Sequence, residues 1–251
     1  MGLFDRFKKS NEKTPETIQT QNNDTVSLEK KISLRKDIIL DETKRQNIKN
    51  TNARVVFALD HSGSMSSQYK NGNVQTLLER IFPMAMCFDD NQELDFYLFD
   101  DRDKELAPVT PRNLAGYVQE NIINKNIQYG GTNYAPVINT IMTKYAKMNP
   151  SNIPTFVIFI TDGDNFDEPA TTTAITEASK YNIFWKFIGI GYGNYFSFLE
   201  KLDNMKGRVV DNANFIPIKN IHNMSDKDLY KKLLEEYADW QKNCQRVNIP
   251  V

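Results

Sequence analysis

The 251-residue chain reads as an α/β protein built on an open, doubly wound, mostly parallel sheet flanked by helices. Two observations predict this: near-continuous apolar runs of strand length, and segments of helical periodicity lying between them. Val55-Val56-Phe57-Ala58-Leu59 opens the series, and no polar residue breaks it. Leu94–Phe99, Thr155–Ile160 and Ile183–Ile190 follow. Runs of this kind belong to strands covered on both faces. Between them Val74, Leu77, Leu78 and Ile81 recur at helical spacing, as do Val137, Ile138, Ile141, Met142 and Tyr145, and more briefly Ala174, Ile175 and Ala178. Ser225 precedes an apolar stripe of Leu229, Leu233, Tyr237 and Trp240, which predicts one capped C-terminal helix. Open sheets of this type bind ligands beyond the carboxyl ends of their strands, so the loops there are the place to look for function.

The flanks read differently. Residues 1–25 are expected to form a flexible leader. Leu3, Phe4 and Phe7 beside Arg6, Lys8 and Lys9 make a short amphipathic start, suited to weak contact with a membrane surface or a partner groove. The stretch from Ser10 to Thr25 is polar and without aromatics, as in a linker. Residues 26–53 are expected to be a connecting segment with a short strand, residues 54–240 the folded domain, and residues 241–251 a tail.

Composition excludes several classes. Hydrophobic residues at 40% and charged residues at 25% are ordinary for a globular chain. The longest apolar run, Phe156–Ile160, is far short of a bilayer span, and no secretory signal opens the sequence, so a cytoplasmic location is expected. Net charge is −1, with +3 in residues 1–53 and −4 in the remainder, a balance that argues against nucleic-acid binding. Two cysteines, Cys87 and Cys244, and two histidines, His61 and His222, leave no disulfide framework and no zinc spacing; any metal must be held by oxygen.

Oxygen donors occur where the fold class directs attention. Asp60-His61-Ser62-Gly63-Ser64 follows the first strand and sets one carboxylate and two hydroxyls at alternate positions, with a glycine to let the chain turn. Taken alone, such a loop equally describes a helix cap. Gly130-Gly131-Thr132 adds a hydroxyl at the start of another helix, and Thr161-Asp162-Gly163 adds a carboxylate at the end of another strand. Together they form an all-oxygen set suited to magnesium, manganese or calcium rather than zinc.

This order of loops, D-x-S-x-S, then GGT, then TDG, resembles the von Willebrand factor type A (VWA) domain and its metal-ion-dependent adhesion site, over about residues 54 to 240. The resemblance implies that Ser62, Ser64 and Thr132 ligate a divalent cation, with Asp60 and Asp162 acting directly or through water. The Leu59–Met65 loop, the Ile127–Tyr134 segment and Val26-Ser27-Leu28-Glu29-Lys30-Lys31 are similar to the bacterial TerF-like, tellurium-resistance branch. A cation held mainly by neutral hydroxyls keeps an open position for an outside carboxylate. The expected function is therefore cation-dependent protein binding, in a bacterial tellurium-resistance or stress-response assembly, with the partner supplying an Asp or Glu. His61, Met65, Tyr69, Asn133, Tyr134, Asp164, Asn165 and Phe166 are candidates for the surrounding rim. Asp164, Asp167 and Glu168 read better as a solvated turn and helix start than as extra ligands.

The rival class is a magnesium- or manganese-dependent hydrolase of phosphatase or nuclease type. No base or nucleophile is tied to the loops beyond His61, and Asp100-Asp101-Arg102-Asp103 lacks the aspartyl-phosphate pattern. Gly189-Ile190-Gly191-Tyr192-Gly193 lacks dinucleotide-loop spacing and reads as a turn leaving a buried strand. No catalytic residue is expected.

Overall fold

The computed structural model describes residues 15–191 and 196–251, with side chains from residue 27 onward. The amphipathic start at residues 1–9 lies outside the described residues, as do the first part of the linker and residues 192–195 of the glycine-rich turn. A six-stranded sheet forms the centre, in the order β3-β2-β1-β4-β5-β6. Its strands are β1 (Arg54–Asp60), β2 (Leu94–Phe99), β3 (Asp103–Val109), β4 (Thr155–Thr161), β5 (Ile183–Ile190) and β6 (Ala213–Ile218). All neighbours pair parallel except β2 and β3. The four strands expected from apolar runs are present. The two missed, β3 and β6, are the edge strands, whose exposed or polar positions dilute the apolar signal.

Period-two alternation sends successive side chains to opposite faces. Val55, Phe57, Leu59, Phe156, Ile158 and Ile160 join one core, and Val56, Ala58, Val157 and Phe159 join the other. Helices α2 (Ser66–Lys70) and α3 (Asn73–Phe88) contribute to the first, with α7 (Asp226–Leu234) and α8 (Tyr237–Arg246). Helices α4 (Ala135–Met142), α5 (Glu168–Ala178) and α6 (Ser197–Asp203) build the second. Two strands of the sequence order diverge at its centre: from β1 the chain goes to β2 on one side, and β4 pairs on the other. The crevice between the carboxyl ends of β1 and β4 is thus the topological switch point.

The N-terminal expectations need correcting. Residues 15–45 form one helix, α1 (Pro15–Arg45), where a linker and a short strand were expected. The Leu28, Ile32 and Ile39 spacing is helical, and burying it on α3 and α7 stabilises what the polar composition alone would not. Arg35 and Arg80 converge on Asp226 at 3.0 and 2.7 Å, one carboxylate oxygen each, tying α1 and α3 to the first turn of α7. Arg35 also donates to the Glu79 carbonyl at 3.0 Å. Asp226→Ala leaves two guanidinium groups, only 12% and 7% exposed, without their carboxylate. Because Asp226 itself is partly exposed, a loss of about 2–3 kcal/mol is expected, read as a lower denaturant midpoint.

The C-terminal helix is also two helices. Glu236 sits in the left-handed region (φ 69°) and breaks the stripe between Leu233 and Tyr237. The stripe survives the break because Tyr237 and Trp240 still face Phe156 and Phe184. Residues 241–246, expected as tail, belong to α8: Cys244 is buried, and Gln241 donates to the Asn50 carbonyl at 2.7 Å.

Candidate metal centre

β1 delivers Asp60 to the switch point fully buried, and burial pushes its carboxyl up to about 7. Hydrogen bonds oppose that shift. Asp60 Oδ1 accepts from the Ser62 backbone N–H at 2.7 Å and Oδ2 from the Thr161 hydroxyl at 2.6 Å. From the same loop, Ser62 Oγ lies 3.0 Å from Ser64 Oγ, and Ser64 Oγ donates to Asp162 Oδ1 at 2.8 Å. Burial raises Asp162 as well. Four of the five expected ligands thus form one hydrogen-bonded group spanning the ends of β1 and β4.

Thr132 comes to the group through its backbone. Ser62 and Gly130 form an isolated parallel bridge, with Gly63 N–H donating to the Gly130 carbonyl at 3.3 Å. On the other side Phe166 N–H donates to the Thr132 carbonyl at 2.9 Å. The Gly130-Gly131-Thr132 loop is therefore held between the serine loop and the Asp162 loop, and Thr132 itself is buried. Gly130 is required by close approach: a Cβ there would stand 2.6 Å from Asp100 Cγ. Gly130→Ala is expected to push this loop outward and weaken cation affinity about tenfold or more, measured by calorimetry with Mg²⁺, while the thermal transition stays cooperative.

All five donors are oxygens, two carboxylates and three neutral hydroxyls, a set that fits a hard divalent cation. Among the described residues no group of three or more His, Cys, Asp or Glu is placed to hold a metal. The buried Asp60 and the nearby Asp162, both raised by desolvation, are the charges a cation would compensate.

Most of the expected rim is interior, and these assignments are corrected. Tyr69 is buried with its hydroxyl donating to the Asp60 carbonyl at 2.8 Å. Tyr134 is buried, donating to Thr161 Oγ1 at 3.0 Å and to the Gly163 carbonyl. Met65 is fully buried, and Asn165 points its amide at Asp167 and Thr171. His61 is 3% exposed, stacked on Tyr129 at 4.3 Å, with its Nδ1 unpartnered and burial lowering it to about 4. Tyr69, Tyr134 and Asn165 are held inward by hydrogen bonds of their own polar groups, and Met65 and His61 by packing. Asn133 and Asp164 are half-buried, and Asp164 accepts from Phe198 N–H at the start of α6. Phe166 alone stands out, 84% exposed. Asp167 stands at the start of α5, where a helix start was expected, but its carboxylate makes no cap bond there; it reaches across to the start of α4 and accepts from Tyr134 and Ala135 N–H at 3.0 and 2.9 Å. Sequence reasoning missed Thr161 as the residue that orients Asp60; its place in the TDG triplet was the available signal.

The family model for the VWA domain found in the TerF C terminus matches residues 52–250. The chain belongs to the TerF-like VWA family. The match begins after α1, and it extends past the expected boundary at residue 240 to include α8. This TerF-like chain is 38% identical over 220 residues to an uncharacterized protein, YcbR, of Bacillus subtilis (strain 168), covering 87% of this chain and 89% of that one. Solved structures share the fold at low identity. BatB from Bacteroides thetaiotaomicron aligns at TM-score 0.54 and 15% identity, over 74% of this chain and 99% of that one. Manganese-loaded TRAP of Plasmodium vivax aligns at TM-score 0.54 and 17% identity, over 75% and 74%. Among the described residues of the TerF-like chain, no helix is long and apolar enough to cross a membrane.

Proposed function

We propose that this VWA domain is a divalent-cation-dependent protein-binding module, without catalytic activity, acting in a cytoplasmic bacterial assembly of the tellurium-resistance or stress-response kind. Asp60, Ser62, Ser64, Thr132 and Asp162 would hold Mg²⁺, or Mn²⁺ or Ca²⁺, and the bound cation would supply an electrophilic position for an Asp or Glu carboxylate of a partner protein. The observation that carries this reading is the hydrogen-bonded group Asp60, Ser62, Ser64 and Asp162 at the switch point, with the Thr132 loop pinned between its halves. Manganese loading of TRAP, a protein of similar fold, supports a cation here, and the TerF-like family match supports the tellurium-related setting.

The chain's own residues do three things in this scheme. Thr161 and the Ser62 N–H hold both oxygens of Asp60 in place. Tyr69 and Tyr134 fix the strand ends beneath the loops. The hydroxyl donors contribute no charge, which leaves the cation attractive to an outside acid. His61, stacked on Tyr129 and buried, is poorly placed as a general base.

Affinity capture from the native cell tests the reading. Partners are expected in Mg²⁺, lost on EDTA and lost with Thr132→Ala, with no turnover of phosphoester or ester substrates in Mg²⁺ or Mn²⁺. Capture that ignores EDTA, or turnover that needs Asp60, overturns it.

A further inference from the structure

We propose that the acid a partner protein offers to the cation is accompanied, in the partner's own chain, by an arginine or lysine that lies across Phe166 and meets the carboxylates at the start of α5. The inference rests on the cation-binding reading above and adds to it the kind of segment that the rim selects.

Phe166 is the most exposed large apolar side chain among the described residues, and it stands at the expected ligands. Its N–H donates to the Thr132 carbonyl at 2.9 Å, one hydrogen bond from a ligand residue. Its ring leans over the glycine pair: Cε2 lies 3.9 Å from where a Gly131 Cβ would stand. A Cβ at Gly63 or at Gly163 would meet nothing within 4 Å, so the neighbouring loops are low and open around it. The turn that carries the ring is fixed. Asn165 donates to Thr171 Oγ1 at 2.9 Å, and the Asp167 carboxylate is held by the Tyr134 and Ala135 N–H groups. A large aromatic held outward on a fixed turn loses little freedom when a partner covers it, which is the character of an interface anchor.

The charge beside Phe166 is of one sign. No lysine or arginine occurs from Asn126 through Thr143 or from Thr161 through Ser179, the two stretches that meet at Phe166, and the second carries Asp162, Asp164, Asp167 and Glu168. Asp164 accepts from Phe198 N–H and Ser197 Oγ at 3.2 Å each, and Glu168 stands in the first turn of α5. Among the described residues no cation of this chain pairs with any of the four. Arg102 is taken up by its own turn, 3.7 and 3.9 Å from Asp100 and Asp101, so that side of the loops is balanced. Asp60 and Asp162 would offset the two charges of a bound cation, which leaves Asp164, Asp167 and Glu168 as an acidic flank. A lone carboxylate approaching the metal is repelled by that flank within a Debye length, roughly 8 Å at physiological salt. A cation next to it in the partner's chain turns the repulsion into attraction. Arginine and lysine serve both surfaces at once, since the stem or guanidinium face covers an aromatic ring while the charge meets the carboxylates.

Short blocked peptides titrated into the full-length ¹⁵N-labelled chain in Mg²⁺, with Mg²⁺ calorimetry alongside, test the proposal. Each peptide carries one central glutamate, flanked by arginines, by serines or by glutamates. The arginine peptide is expected to bind about tenfold or more tightly than the serine peptide at low salt, and the glutamate peptide more weakly than either. Phe166→Ser and Glu168→Gln are each expected to lower the affinity of the arginine peptide far more than that of the serine peptide. Equal affinities for the three peptides, or an arginine advantage that survives both variants, overturns the inference and leaves the cation reading standing. Undiminished binding of an arginine peptide with glutamine at its centre does the same, because the contact then ignores the metal. Mg²⁺ binding with no glutamate-dependent peptide binding overturns the open position for a partner's acid, and no Mg²⁺ binding at all overturns the cation reading beneath it.

Discussion

Asp60→Ala is expected to lower Mg²⁺ affinity by at least about 100-fold and yet to leave the chelated protein as stable as the parent, or more so. The reason is that Asp60 is an unfavourable residue for the fold. Fully buried, with its carboxyl pushed up to about 7 against an ordinary 3.8, it holds a proton in the native state that the unfolded chain releases. Between those two values the native state binds more protons, so stability falls as pH rises, and the penalty is complete above about pH 7. At 1.36 kcal/mol per unit the shift corresponds to about 4 kcal/mol. Differential scanning calorimetry in EDTA should therefore show a higher Tm at pH 5 than at pH 7, and Asp60→Ala should flatten that slope. Asp162, raised in the same direction, leaves a residual dependence. Magnesium at about 100 times the parent's Kd should add roughly 2.7 kcal/mol to the parent above pH 7 and at most about 0.4 kcal/mol to the variant. A variant that binds Mg²⁺ normally would remove Asp60 from the site.

Lys186 should produce the opposite pH slope, on the other side of neutrality. It lies at the centre of β5, without exposure, and burial lowers its ammonium to about 7. Its Nζ donates to Asn214 Oδ1 and, at 3.0 and 2.9 Å, to the Lys232 and Glu235 carbonyls at the end of α7. Glu236, Glu235 and Asp203 nearby favour the charge but do not offset its desolvation. The unfolded chain keeps the proton to about pH 10.5, whereas the native state releases it near 7, so this group makes stability rise with pH between those limits. The slope approaches about 1.4 kcal/mol per pH unit. From pH 7 to pH 9 the parent should gain about 2–3 kcal/mol more than Lys186→Met in urea unfolding. Methionine also leaves the two carbonyls unpaired, so the difference in slope, rather than the stability at one pH, carries the test. Equal slopes would place the proton on Lys186 in both states.

The strands that were legible in the sequence are those covered on both faces. Val55–Leu59 and Phe156–Ile160 have no polar interruption because helices pack above and below them, and hydrophobicity alone marks such a run. β3 was hidden because Asp103, Lys104 and Glu105 face water along the sheet edge. α1 was hidden because its amphipathic spacing is weak by itself; burial of Ile32 and Ile39 on α3 and α7 and the pairing with Asp226 supply what the local sequence lacks. In the site, the ligands were legible as a set of oxygen-bearing side chains at fixed spacing in three loops. The rim was not, because a tyrosine beside such a loop reads the same whether its hydroxyl meets a partner or, like Tyr69, the Asp60 carbonyl.

By itself, the sequence determined which atoms are available: two carboxylates and three hydroxyls, in loops that follow buried strands, with no histidine or cysteine set to rival them. Only the tertiary structure decided which of the surrounding side chains face inward and that Thr161 orients Asp60. The physical reason is that donor chemistry is a property of single residues. Burial and direction, by contrast, depend on contacts between segments far apart in the chain, such as Arg35 with Asp226 or Phe166 with Thr132.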